Sequence, residues 1–393
     1  MSSSMAEHKT NLHIAVFPWL AFGHILPFFQ LSKSLAQRGH YISFISTPRN
    51  LQRLPTIPPN LSAFVNLTPL PIPPNSNLPP NAEATSDISP DQTPFLFEAL
   101  DSLQESLTKF LEQSRPDWLI YDFATAWLPP IAAELGIPCV YFNIFNASTV
   151  AFFGSVSEMT REDGGSRLNP EDFLVPPKWI SFPSNLALPF YEAPKGDEYK
   201  DPIYRTGSAI QGCEFMAVRS CIEFEKDELS KLLPIGFEDR VEGRGFVTMD
   251  WVPQLSILAH PSVGGFLTHS GWSSIIEGLG FGLNLILLPL SPPQALNTRL
   301  LESKTIGLAI PRDEQDGSFT RDSVAESVRV VMVAEEGEMF RRKVKEMTEI
   351  FGDRKLHDRY MDEFDRYLSE YKSKSQADSS ADLVISDTKY PKV

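Results

Sequence analysis

The run Leu12–Phe17 is apolar without interruption, a pattern that predicts a strand buried on both faces. A turn follows it. A helix is then predicted from about Leu26 to Arg38, ended by Gly39, a residue suited to the position past a helix C-terminus. His40–Ser46 reads as a second strand and Ala63–Leu67 as a weaker third. Phe95–Gln113 is patterned as one long amphipathic helix, Trp118–Asp122 as a strand, Trp127–Leu135 as a helix and Cys139–Phe142 as another strand. Alternation of strand and helix in this rhythm predicts a parallel sheet with helices on both faces. A helix near Pro202–Gln211 and a strand at Glu214–Arg219 close this first series.

A second series begins near Gly245–Met249 and continues through Gly265–His269, Leu285–Leu290 and Ile306–Ile310. Ser323–Phe351 reads as mostly helix, then Leu356–Tyr371 as another, and the polar tail from Lys372 as disordered. Between Pro55 and Pro94 lie 11 of the 33 prolines, a density that excludes continuous helix and makes most of the segment extended surface loop. Gly154–Pro202 is a second irregular stretch.

Composition narrows the function. Lys and Arg number 35 against 50 Asp and Glu, a net charge of −15 over 393 residues. An acidic surface argues against nucleic acid and anionic membranes as partners, because both reward clustered positive charge. The length suits two domains. Cys139, Cys213 and Cys221 are odd in number and lack CxxC spacing, which disfavours a zinc site or a disulfide framework and reads as intracellular. The polar start, with Pro18, Gly23 and Pro27 breaking the first apolar stretch, does not read as a signal peptide, and no run reaches bilayer-spanning length. A cytoplasmic protein is expected.

Candidate chemistry appears first at His24, placed in the turn after the first strand, just ahead of the helix. In open α/β sheets ligands bind beyond the carboxyl ends of the strands. Asp122 ends the fourth strand, and in the common order 3-2-1-4-5 the first and fourth strands are neighbours about 4.8 Å apart. His24 and Asp122 are therefore expected to converge on one crevice. A carboxylate on one imidazole nitrogen fixes the tautomer and readies the other nitrogen as a general base toward a hydroxyl. A histidine in a turn is equally well a hydrogen-bonded structural residue, and these residues alone leave both readings open. His8, His13, His40, His260 and His357 read as structural, and Asp362 and Asp365 as a solvated helix face. No DxD motif occurs, which disfavours a metal-dependent sugar transferase of another fold.

The segment 251–294 carries most information: WVPQLSILAHPSVGGFLTHSGWSSIIEGLGFGLNLILLPLSPPQ. GGFLTHS reads as a buried strand leading into a turn, and SSIIEGLG as a helix beginning with Ser. Helix-start amides with His269 and serine hydroxyls would suit a diphosphate. Glu277, one turn in, could accept from ribose hydroxyls. Trp251 could stack on a flat base, or simply pack in the core. The absence of GxGxxG argues against a nicotinamide dehydrogenase.

Together Trp251, Gln254, the HPSVGGFLTH run, Gly271, Trp272, Ser274, Glu277, Pro289 and Gln294 resemble, in register, the signature box of the plant secondary-product UDP-glycosyltransferases. The start FPWLAFGHILPFFQLSKSLAQRGHYISFISTPRN and the stretch PDWLIYDFATAWLPPIAAELGIP resemble the branch that adds glucose or rhamnose to metabolites often already glycosylated, such as flavonoid or terpenoid glycosides. The resemblance implies an α/β fold of two Rossmann-like domains facing across a cleft, the GT-B fold. It implies His24 as catalytic base with Asp122 as its partner. Donor-binding residues would be Trp251 and Val252 at uracil, His269, Trp272, Ser273 and Ser274 around the phosphates, Glu277 at ribose and Gln294 at the sugar, with Gln254 and Gly271 also in the donor site. A UDP-sugar is implied as donor substrate, a small molecule as acceptor, no metal or other cofactor, and a monomer.

The chain departs from the family pattern at Ser270 (usually Cys), Ser273 (usually Asn), Leu283-Asn284 and, above all, Pro293, where an acidic residue normally precedes Gln294 and accepts sugar hydroxyls. A gap also stands out. After Cys221–Glu225, Lys231-Leu232-Leu233 runs straight into Pro234-Ile235-Gly236-Phe237, so the second domain should lack its first strand–helix unit. The expected organisation is an acceptor domain at 1–225, a truncated donor domain at 226–355, a helix at 356–371 packing back on the first domain, and a tail at 372–393.

Overall fold

The computed structural model describes residues 11–74, 77–161, 167, 169–178, 187–194, 200–219 and 254–378. Two parallel sheets organise them. The first has six strands: β1 His13–Phe17, β2 Tyr41–Ser46, β3 Val65–Pro69, β4 Trp118–Tyr121, β5 Cys139–Asn143 and β6 Phe215–Val218. Their order is β3-β2-β1-β4-β5-β6, every pair parallel. The uninterrupted apolar runs follow from burial on both sides. Ala15, Phe17, Leu119 and Tyr121 face one core, completed by Leu96, Leu100, Leu107 and Leu111. Ile14, Val16, Trp118 and Ile120 face the other, with Ile25, Phe28 and Leu35 of the helix Phe22–Gln37.

The second sheet contains β7 Gly265–Thr268, β8 Asn284–Leu287 and β9 Gly307–Ala309, in that order and parallel. Leu285 and Leu287 pack on Ile275, Leu279, Leu300 and Phe351. Ile286 and Leu288 pack on Ile310 and Val331 on the opposite face. Among the described residues β7 is an edge strand, and Gly265, Phe266 and Leu267 are only partly buried, whereas Ile14–Phe17 of β1 are fully enclosed. The strand expected at Gly245–Met249 and the junction at Lys231–Phe237 lie outside the described residues.

Several expected elements differ. The segment Phe95–Gln113 forms two helices, Thr93–Asp101 and Gln104–Ser114. The hydroxyl of Ser102 donates to the carbonyl of Ala99 at 2.6 Å, competing with the backbone ladder where the helices part. Ser323–Phe351 likewise divides into Arg321–Met332 and Glu338–Phe351. The last helix, Arg354–Asp378, starts earlier than Leu356 and continues past Tyr371.

That helix crosses to the first sheet. Leu368 enters its core, and the indole N–H of Trp118 donates to the carbonyl of Leu368 at 3.2 Å. Asp362 is exposed and accepts from Arg38 at 2.6 Å. Asp365 is not part of a solvated face: it is buried and bonded to Nε2 of His40, itself fully enclosed. Sequence periodicity places Asp362 and Asp365 three residues apart but cannot tell which of them the turn of the helix carries under the sheet. No helix among the described residues is long and apolar enough to cross a membrane.

Candidate functional site

His24 lies in the first turn of the helix Phe22–Gln37 rather than ahead of it. The helix starts earlier than expected because Pro27 falls just past the first turn, where only one carbonyl, that of Gly23, loses its donor. The amides of His24 and Ile25 both donate to Ala21 O at 2.8 Å, which fixes the backbone beneath the imidazole. Asp122 follows the last residue of β4, and β4 pairs with β1 through Tyr121 and Phe17. Strand adjacency therefore brings the two side chains together: Nδ1 of His24 is 2.8 Å from Oδ2 of Asp122.

The carboxylate is itself immobilised. Its Oδ2 accepts from the amide of Trp19 at 3.0 Å and its Oδ1 from that of Phe123 at 2.8 Å. With both oxygens accepting, Nδ1 of His24 is the donor, and a neutral ring carries its lone pair on Nε2. His24 and Asp122 are 8% and 2% exposed. The rings of Phe123 and Phe145, each 5.5 Å from the imidazole, flank it and exclude water from its sides. The arrangement can accept a proton from a hydroxyl placed at Nε2.

The second lobe supplies a different kind of site. After β7 the chain turns through Ser270, whose φ of 63° lies in the left-handed region. The helix Trp272–Gly280 then begins with Gly271 as its N-cap and no capping side chain. This corrects the expectation of a serine at the helix start: Ser273 and Ser274 occupy the second and third helical positions. The first bond of the helix runs from Ile275 N to Gly271 O, so the amides of Trp272, Ser273 and Ser274 have no partner within it. A Cβ on Gly271 would collide with the ring of His269, which explains the glycine. His269 is exposed, whereas the ring of Trp272 is buried in the core.

Ser270 anchors this loop from beneath. It is fully buried, its Oγ accepts from Thr298 at 3.0 Å, and its carbonyl accepts from the side-chain amide of Asn297. Both partners sit on the helix Pro292–Ser303. Pro293 falls at that helix's second position, where its missing N–H removes no helical bond. The fold thus tolerates it, although it supplies no side-chain acceptor. Gln294 accepts from Leu290 N at 3.0 Å through Oε1, leaving its amide hydrogens for other partners.

Glu277 and Gln254 are brought together at 2.7 Å. Burial raises the Glu277 carboxyl above its ordinary range, opposed by that hydrogen bond and by the charge of Arg219. Trp251 and Val252 lie outside the described residues.

Three residues escaped the sequence reading. Arg219, at the end of β6, reaches Ser273 Oγ with its guanidinium, and its carbonyl accepts from Trp272 Nε1 at 2.8 Å. Asn146 donates to Asn297 at 2.8 Å, joining the first lobe to the residue that holds the Ser270 turn. Asn297 stands three residues after Gln294, a spacing that puts both on one helix face and could have flagged it. Arg219 and Asn146 carry no such signal. The lobes also meet through Leu296, packed with Phe152, Phe173 and Leu188.

A buried imidazole–carboxylate pair at the strand ends of one parallel-sheet lobe, and an uncapped helix start in the other, define the class of two-lobed GT-B transferases. The fold agrees with the crystal structure of UGT73P12 from Glycyrrhiza uralensis, complexed with glycyrrhetinic acid 3-O-monoglucuronide, at a TM-score of 0.72 and 17% identity over 94% of this chain and 99% of that one. Residues 241–366 match the family model for UDP-glucoronosyl and UDP-glucosyl transferases. UDP-glycosyltransferase 91C1 of Arabidopsis thaliana is 39% identical over 463 residues, covering 95% of this chain and 99% of that protein. Soyasaponin III rhamnosyltransferase of Glycine max is 32% identical over 472, covering 95% and 99%. The chain belongs to the plant UDP-glycosyltransferase family. Both alignments are longer than its 393 residues, so these relatives hold segments with no counterpart here.

Proposed function

We propose that the chain transfers glucose or rhamnose, with inversion, from a UDP-sugar to a hydroxyl of a small plant metabolite of the flavonoid or terpenoid glycoside class. The observation that carries this reading is the His24–Asp122 pair, with Asp122 locked by two backbone amides and Nε2 of His24 left to act. His24 takes the hydroxyl proton as the acceptor oxygen attacks the anomeric carbon. The bond from that carbon to the diphosphate breaks, and UDP departs with the electron pair. Asp122 stabilises the imidazolium that forms.

On the donor side, the loop amides with His269, Gly271, Ser273 and Ser274 hold the diphosphate. Glu277, oriented by Gln254, meets the ribose, Gln294 the sugar, and Trp251 with Val252 the uracil. The relative named as a soyasaponin rhamnosyltransferase supports a glycosylated acceptor and a rhamnose donor. The reading carries with it a metal-free site, a monomer and a cytoplasmic location.

UDP should raise the melting temperature of the protein, since a ligand bound only by the folded state stabilises it. Transfer from UDP-glucose or UDP-rhamnose to a panel of flavonoid and terpenoid glycosides should disappear in His24→Ala. Wild-type rates in that variant would dismiss the base assignment.

A second reading is favoured by the length of the family alignments, the partly exposed β7 and Pro293. On it the chain is a catalytically impaired remnant that lacks the first strand–helix unit of its donor domain and binds acceptor-like molecules without turnover. Acceptor binding with no UDP-dependent stabilisation would select it.

A further inference from the structure

Behind the loop that carries Asp122 lies an ion pair with no part in the chemistry described so far. Arg205 stands on the helix Lys200–Gln211, its side chain 12% exposed, and faces Asp101 at the end of the helix Thr93–Asp101. Nη1 donates to Oδ1 of Asp101 at 2.8 Å and Nη2 to Oδ2 at 2.7 Å, a bidentate contact. Nε donates to Asp201, one turn back on the same helix, at 2.7 Å. Nη1 donates also to the carbonyl of Ala124 at 2.7 Å, and Asp101 accepts from the indole of Trp127 at 2.8 Å. The loop that follows Asp122 is thus tied, at Ala124 and at Trp127, to one guanidinium–carboxylate pair.

A second route leads to the same carboxylate. The guanidinium lies over the ring of Phe97, its carbon 4.9 Å from the centroid. That ring stacks on Trp19 at 4.3 Å and meets the ring of Phe123 edge-on at 6.2 Å. The amides of Trp19 and Phe123 are the two backbone donors that hold Asp122, and Phe123 also flanks His24. Both residues that lock the carboxylate are therefore braced by Phe97, and Phe97 by Arg205. A lysine could not make these contacts together, because an ammonium has neither paired N–H groups to span a carboxylate nor a plane to lie on a ring.

We propose that Arg205 is a positioning residue for the base: through Ala124, Trp127 and Phe97 it sets the loop and the aromatic wall that aim Asp122 at Nδ1 of His24. It thereby fixes the direction in which Nε2 meets the acceptor hydroxyl. This rests on the reading of His24 as base and adds a residue to it. Misplacement of a reacting group by about 1 Å is enough to cost on the order of 10² in rate.

The test is proton NMR of the full-length protein labelled with 15N-histidine, comparing wild type with Arg205→Lys and Arg205→Gln. Two ring N–H signals are followed, Nδ1–H of His24 bonded to Asp122 and Nε2–H of His40 bonded to Asp365, assigned by their absence from His24→Ala and His40→Gln. The expected result is that the His24 signal shifts or is lost to exchange in both variants while the His40 signal stays in place. Should Arg205→Gln lose both signals, Arg205→Lys decides. A His24 signal unmoved in Arg205→Lys would overturn the proposal, and so would loss of both signals in both variants, since Arg205 would then support the fold at large. With UDP-sugar and acceptor, kcat should fall by about 10² with the KM for the UDP-sugar unchanged. A raised KM for the UDP-sugar at constant kcat would overturn the proposal. Because the NMR arm needs no substrate, a wild type that shows the His24 signal but transfers no sugar would reject the transferase reading and leave the role of Arg205 to be decided by the signals.

Discussion

Glu192 of the first lobe and Arg312 of the second lie 3.2 Å apart, with the carboxylate side chain 2% and the arginine side chain 14% exposed. The guanidinium also donates to Pro289 O at 2.8 Å and stacks on Tyr191 with its carbon 4.7 Å from the ring centroid. The contact is a clasp between the lobes, and its carboxyl titrates in an unusual range.

Burial raises the Glu192 carboxyl to about 7, against the pull of Arg312. In the unfolded chain it returns to 4.5. Between these values the folded protein holds a proton that the unfolded chain has released, so stability falls as pH rises through this window and levels off above it. The change should be on the order of 1–3 kcal/mol. Urea unfolding at a series of pH values should show this decline in the wild type and a flatter profile in Glu192→Gln.

Asp122→Asn tests the tautomer separately from the base. An amide can donate to Nδ1 of His24 and so move the ring proton to Nε2, where an acceptor hydroxyl would meet a donor instead of a lone pair. Initial rates of transfer should drop by about 10²–10⁴. UDP affinity, measured by titration, should stay as it was.

His40 couples the start of the first sheet to the last helix. Its Nδ1 accepts from Leu12 N at 3.1 Å, so Nε2 carries the hydrogen that meets Asp365. Asp365→Ala leaves that buried donor unpaired and should lower the unfolding free energy by ~1–3 kcal/mol. Limited proteolysis should then cut within Arg354–Asp378 sooner than in the wild type. Asp362→Ala, which removes an exposed partner of Arg38, should change stability by less than about 1 kcal/mol.

Asn297→Ala removes the donor to Ser270 O and the acceptor for Asn146 together. The left-handed turn at Ser270 loses one of its supports, and the helix-start amides lose their fixed direction. Weaker UDP binding, by about tenfold, is expected with a smaller effect on acceptor affinity. An unchanged UDP affinity with full stability would show that the turn holds itself.

The sheet order of the first lobe was legible because uninterrupted apolar runs separated by helical patterns admit few parallel arrangements. The same order made the contact of His24 with Asp122 derivable, since neighbouring strands bring their ends together whatever their separation in the chain. The break at Ser102 was not legible. The leucines at 96, 100, 103, 107 and 111 keep a helical spacing across it, and apolar periodicity reports which face is buried but not whether the axis is continuous. Asp365 was misread for a related reason. Polarity marks a solvated face on average, and only the docking of the last helix under Trp118 and His40 turned that carboxylate inward.

What the sequence determined by itself is the six strands of the first sheet and the three described strands of the second, the family box with its departures at Ser270, Ser273 and Pro293, and the pairing of an imidazole with a carboxylate, all properties of local pattern or of neighbouring strands. Tertiary structure alone decided which residues bridge the lobes: Arg219 to Ser273, Asn146 to Asn297, Arg312 to Glu192. Such contacts depend on the relative placement of two separately packed cores. Periodicity within either core contains no information about the vector between them.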